Sequence, residues 1–150
     1  MDHMHDQIRI DAPVEHVWAF YRDTTRWRDW MPRMEYSELS GPADQVGTTY
    51  LQHFRLMGFE MKSNVKVVEV EPLRLIHERV EFGDKGEDNY LRFEPDGEGT
   101  LMTVDSDYEM PGHLPGFVKD LLTKRFMERN VRQMLEDFKA FAEVSVPVPA

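Results

Sequence analysis

Few residues of this chain are of a type and spacing that could do chemistry, and Glu78 is the sharpest. Alternation along 74–82 puts Ile76, Glu78, Val80 and Phe82 on one side of a strand, with Leu75, His77, Arg79 and Glu81 on the other. Glu78 therefore interrupts an apolar face. A carboxylate buried there costs several kcal/mol without a partner, or takes up a proton instead. It can serve as an internal acid or base, or anchor the polar end of a ligand. It can equally sit at a strand end, or pair with a helix arginine such as Arg125. Ser63, Gln52 and Ser106 fall on the same inward side of their own strands and can hydrogen-bond either a ligand or the backbone.

Other chemistries find little support. Zero cysteines exclude disulfides, a thiol nucleophile and Cys-ligated zinc. No Gly-x-Ser-x-Gly, phosphate loop or dinucleotide fingerprint occurs. No His-x-x-x-His or Glu-x-x-His spacing exists, so no metal and no cofactor are expected. His53 and His77 fall on sides assigned to solvent, alongside Arg55 and Arg79, while His3 and His5 read as part of a frayed terminus. His113 lies in a Pro- and Gly-rich loop over 110–116. With 28 acidic and 18 basic residues the net charge is −10, which argues against a nucleic-acid binder. No run is long enough to span a bilayer and no signal-peptide pattern opens the chain, so a cytoplasmic protein is expected.

The elements that must position these residues are legible from periodicity. A strand, Ile8-Arg9-Ile10, runs into Asp11-Ala12-Pro13 and a helix start. Then comes Trp27-Arg28-Asp29-Trp30-Met31-Pro32, with two tryptophans on one face of a short helix that Pro32 stops. Such a pair is either core packing or a ligand contact. From there to about residue 110 the chain alternates as strands. Met102, Val104, Ser106, Tyr108 and Met110 share one side of the last; Phe59, Met61, Ser63, Val65 and Val67 share one side of an earlier one. In 48–57, Tyr50, Gln52 and Phe54 compete with Leu51, His53 and Met57 for the inside. Gly58, Pro72, the stretch 83–86 and Asp96-Gly97 mark the turns. The acidic stretch 84–109 reads as a solvated sheet face, with Arg79, Arg92 and Asp105 as cross-strand partners. From about Gly116 to Glu143 one helical pattern follows, its apolar stripe shifting around 123–127, where a bend is expected. Residues 144–150 read as a tail.

That order resembles the START-like (SRPBCC) superfamily of polyketide cyclase/dehydrase and lipid-transport type. The resemblance is carried by the opening segment, the hairpin Phe93-Glu94-Pro95-Asp96-Gly97-Glu98-Gly99-Thr100 and the helix end Leu135-Glu136-Asp137-Phe138-Lys139-Ala140-Phe141-Ala142-Glu143. It implies one α+β helix-grip domain over 1–150, with its core at about 7–143. A curved seven-stranded antiparallel sheet would wrap a long C-terminal helix, with two short helices after the first strand.

The function implied is binding, or transport, of a small hydrophobic molecule such as a polyketide, isoprenoid or lipid between sheet and helix. The expected cavity lining is Phe54, Met61, Ser63, Glu78, Val80, Phe93, Val104, Ser106, Tyr108, Phe117, Leu121 and Leu122, with Trp27, His113 and Leu114 at the rim. A cyclase or aromatase moving protons through Glu78, Tyr108 or a bound water is the alternative, since cyclising a poly-ketone needs mainly positioning. A protein-interaction module is a third reading, for which a large exposed apolar patch would speak.

Overall fold

In a computed structural model the chain folds as β1 (Asp2–Ile10), α1 (Val14–Arg22), a 3₁₀ turn (Thr24–Arg26) and α2 (Trp27–Trp30). Then follow β2 (Met34–Tyr36), β3 (Thr49–Leu56), β4 (Phe59–Glu71), β5 (Leu75–Phe82), β6 (Lys85–Asp96), β7 (Gly99–Tyr108) and α3 (Lys124–Val144). The structure describes residues 2–31, 34–36, 38–56, 59–83, 85–109, 115–117 and 124–145. The side chains at 34, 36, 54–56, 59, 61 and 124 are outside that description.

All seven strands form one antiparallel sheet in the order β1-β7-β6-β5-β4-β3-β2. From β2 to β7 each strand pairs with the next in sequence. β1 alone reaches far, pairing with β7 so that Asp2 faces Tyr108 and Ile10 faces Thr100. The Asp96-Gly97-Glu98-Gly99 hairpin turns on Gly97, whose φ of 61° is the positive value that the first centre of a tight hairpin turn requires. β4 carries a bulge between Val67 and Glu69, which leaves Val68 exposed.

Alternation decides which side is buried. Ile76, Glu78 and Val80 on β5, and Met102, Val104, Ser106 and Tyr108 on β7, all turn inward. The competition in β3 is won by Tyr50, which is buried, while Leu51 is exposed. β1 begins at Asp2, earlier than the expected core start near residue 7, because Met4 is itself buried opposite Ser106.

α3 buries Leu135, Phe138 and Ala142, with Val131 and Met134 partly covered, while Phe141 from the same expected stripe stays exposed. It lies along β1 and against α2. Arg132 Nη1 donates to the Gln7 carbonyl at 3.0 Å, Lys139 Nζ to the Arg9 carbonyl at 2.9 Å, and the Asp11 amide to Glu143 Oε2 at 2.7 Å. Val144, expected in the tail, is the last residue of the helix. Gly116 and Phe117 are helical; 118–123 lie outside the described residues, and with them most of the expected bend.

Candidate functional site

The register sets two rows of side chains side by side across the concave face. One runs Val67, Glu78, Asn89, Ser106, Met4; the next runs Val65, Val80, Glu87, Tyr108, Asp2. Apolar residues end each row on β4, and polar groups gather in the middle.

Glu78 is only 9% exposed. Tyr21 of α1 donates its hydroxyl to Oε1 at 2.8 Å, and Tyr50 of β3 donates to Oε2 at 3.0 Å. Arg125, one of the partners open from sequence, is exposed on α3, and two tyrosines hold Glu78 instead. Burial pushes the Glu78 carboxyl above the usual carboxylate range; the two hydroxyls and the charge of His77 oppose that push without cancelling it. A carboxyl so held can keep a proton, or give it up and remain hydrogen-bonded on both oxygens.

A second polar chain lies beside it. Ser106 Oγ donates to Asn89 Oδ1 at 2.5 Å, and Asn89 Nδ2 donates to Glu87 Oε1 at 2.7 Å. Burial also raises the Glu87 pKa; the Asn89 bond opposes this, while the charges of Glu78 and Asp88 add to it. Tyr108, opposite Glu87 on β7, is 2% exposed, and its hydroxyl is held above its ordinary pKa by burial and by Asp2, Glu128 and Glu87.

An aromatic wall closes the α1–α2 side. Trp18 meets Phe93 edge-on with centroids 5.1 Å apart, Trp27 meets Tyr50 at 5.4 Å, and Trp30 meets Phe138 at 5.1 Å and Tyr21 at 5.9 Å. Trp27, expected at the rim, is instead 2% exposed within the core, its indole N–H donating to the Tyr21 carbonyl at 2.7 Å. The Trp30 indole N–H is buried without a hydrogen-bond partner among the described residues.

Of the residues expected to line the site, Glu78, Val80, Phe93, Val104, Ser106 and Tyr108 are buried on this face, and Ser63 is half-buried opposite Gln52. Phe54 and Met61 are opposite each other across β3 and β4, with side chains outside the description. Phe117 is 52% exposed rather than tucked against the sheet. Leu121, Leu122, His113 and Leu114 lie outside the described residues.

Sequence reading missed Tyr21, Glu87 and Asn89, and offered Tyr50 only as a candidate for the inside of β3. For Glu87 and Asn89 only the apolar Leu91 and Phe93 further along β6 pointed to the inside. His3 and His5 are not frayed: they stand on β1, with Nδ1 atoms 2.7 Å from Asp107 and 2.6 Å from Asp105. On the same convex face Arg92 pairs with Asp105 at 2.8 Å and Arg79 with Asp88 at 2.7 Å, as the charge pattern implied. Among the described residues no group of His, Asp and Glu has metal-binding geometry, and no helix is long and apolar enough to cross a membrane.

The profile of the polyketide cyclase/dehydrase and lipid transport family matches residues 1–143. No curated protein sequence matches significantly. Among solved structures, a protein of Thermus thermophilus superposes with a TM-score of 0.75 at 19% identity, covering 97% of this chain and 100% of that one. A START superfamily protein of Mycobacterium smegmatis gives 0.74 at 16% identity, covering 96% and 99%. The major latex-like protein 151 of Panax ginseng gives 0.67 at 14%, covering 94% and 97%. At such identities the likeness is one of fold.

Proposed function

The chain belongs to the polyketide cyclase/dehydrase and lipid transport family, and from that premise we propose that it binds a small, largely apolar molecule between the concave face of the sheet and α3. The observation that carries this reading is where α3 lies. Its described part runs along β1 and α2, while Glu87, Asn89 and Leu91 in the middle of the face remain half-buried. A face fully packed by its own helix would close those positions. The ligand's apolar body would lie against Val80, Phe93 and Val104, and its polar end among the inward polar groups Glu78, Glu87, Ser106 and Tyr108. The neutral dye Nile red should bind in the micromolar range, about −8 kcal/mol. Ser106→Trp, which fills space at the middle of the face, should weaken it at least about tenfold while the domain stays folded. Unchanged affinity in the folded variant overturns the site.

One observation favours a second reading, catalysis on a poly-ketone chain: Glu78 sits between two tyrosine hydroxyls, an arrangement able to hold and move a proton. Turnover of a poly-ketone mimic that falls about 10²–10⁴-fold in Glu78→Gln, with Nile red binding preserved, is the outcome for an enzyme. No turnover by the parent protein leaves the carrier.

A further inference from the structure

The hydrogen bonds of the polar cluster run in one direction. Tyr21 and Tyr50 donate into Glu78; Ser106 donates into Asn89, and Asn89 into Glu87. The chain therefore ends on an acceptor. Glu87 Oε1 is occupied, but Oε2 has no partner among the described residues, and neither has the Tyr108 hydroxyl opposite it. Tyr108 as a residue is almost wholly covered, with its ring inward and its hydroxyl left open for an incoming group.

The charges that face this point all have one sign. Glu78 approaches from β5, Asp2 from β1 and Glu128 from α3, with Asp88 next to Glu87 on β6. Of the nearby cations, Lys85 Nζ is 3.6 Å from Glu109, and Arg132 is held by Asp6 at 3.2 Å and by Glu136 at 3.2 Å, while Arg125 and Arg129 of α3 are exposed. A buried carboxyl among carboxylates is costly to ionise alone, and the same field rewards an incoming cation. An anionic headgroup placed there meets repulsion from Glu78, Glu87, Asp2 and Glu128.

We propose that the concave face selects an apolar molecule ending in a primary amine, with Glu87 and Tyr108 as the groups that receive the amine, and turns away molecules ending in a carboxylate. This rests on the binding reading above and adds the chemistry of the ligand's end. An alkylammonium N–H donates to Glu87 Oε2 and another to the Tyr108 oxygen. The proton that Glu87 releases on ionising goes to solvent. An alcohol keeps one donor and lacks the charge, so it ranks between.

The test is a displacement series with one alkyl body and three ends. Nile red is bound to the full chain at neutral pH and displaced by decylamine, decanol and decanoate below their aggregation limits. Decylamine should displace at about tenfold lower concentration than decanol, with decanoate weakest. Glu87→Gln should bring decylamine back to the level of decanol, each displacement being scaled to that variant's own Nile red affinity, and Tyr108→Phe should lose part of the preference. Decanoate competing as well as decylamine in the parent protein overturns the proposal, as does a preference that survives Glu87→Gln. The parent series decides by itself where a variant does not fold. Nile red binding without amine preference leaves the binding reading standing and removes only this one; failure of all four compounds to bind removes both.

Discussion

Glu87 shows most directly how a residue here trades stability for an inward polar group. Its folded pKa lies above that of an unfolded chain, because burial and the neighbouring Glu78 and Asp88 disfavour the charged form. Between the two values the folded state holds more protons than the unfolded one. The group's contribution is thus most favourable at low pH and is lost as pH rises from the ordinary carboxylate range through the raised value. Glu87→Gln, which keeps the shape and the contact with Asn89, should therefore melt higher than the parent at neutral pH. That advantage should shrink as the pH is lowered into the ordinary carboxylate range. Paired melting curves across that range check it, and a gap that widens on acidification contradicts it. Why Glu87 escaped the sequence reading is physical: it lies in Lys85-Gly86-Glu87-Asp88-Asn89, where both faces of the strand are polar and alternation has no hydrophobic contrast to mark the inside. Glu78 was legible because Ile76 and Val80 flank it. Its tyrosines were not, because Tyr21 and Tyr50 come to it from α1 and β3, contacts that no local periodicity encodes.

Elements were read more securely than partners, because a strand or helix declares itself over many residues. The rule of two-residue periods placed β5 and β7 and their inward faces, and the Asp96-Gly97 pair marked the hairpin between β6 and β7. The short helix behind β1 was harder to weigh. Its two tryptophans were assignable to core or rim from spacing alone, and both prove buried. Trp30, 3% exposed, stands edge-on to Phe138 of α3 and beside Tyr21 of α1, so one ring joins three helices. Trp30→Ala should cost about 3–5 kcal/mol, a large share of the roughly 5–15 kcal/mol that holds a domain of this kind together. Urea denaturation measures it; a variant that unfolds with the parent's midpoint would free Trp30 from this structural role. Its unpartnered N–H makes Trp30→Phe the informative companion. Phenylalanine keeps much of the ring and leaves no orphan donor, so it should recover most of the loss.

Across the whole molecule, the sheet is assembled from two kinds of pairing. From β2 to β7 every partner is the next strand in the chain, so from β3 onward those ladders close over short loops. β1 is different: it is an edge strand that meets β7 only after α1, α2 and β2 to β6 have been laid down between them in sequence, and α3 rests on β1 rather than across the central strands. The helix that borders the concave face is thereby moored to the strand with the longest closure. Units of a fold open at their own free-energy cost, and one whose contacts are mutual detaches as a unit. β1 and α3 should therefore breathe together while β4–β7 stay paired, exposing the face without dismantling the sheet. Amide hydrogen exchange would see this as earlier labelling of α3 and β1 than of β5 and β7, with both slowed together by a bound amphiphile. Labelling of α3 at the same rate as the central strands would mean that the interior is reached only by global unfolding. In the expected case the topology of one edge strand sets the residence time of whatever the protein holds: escape waits on the loosening of β1, far from any group that touches the ligand's polar end.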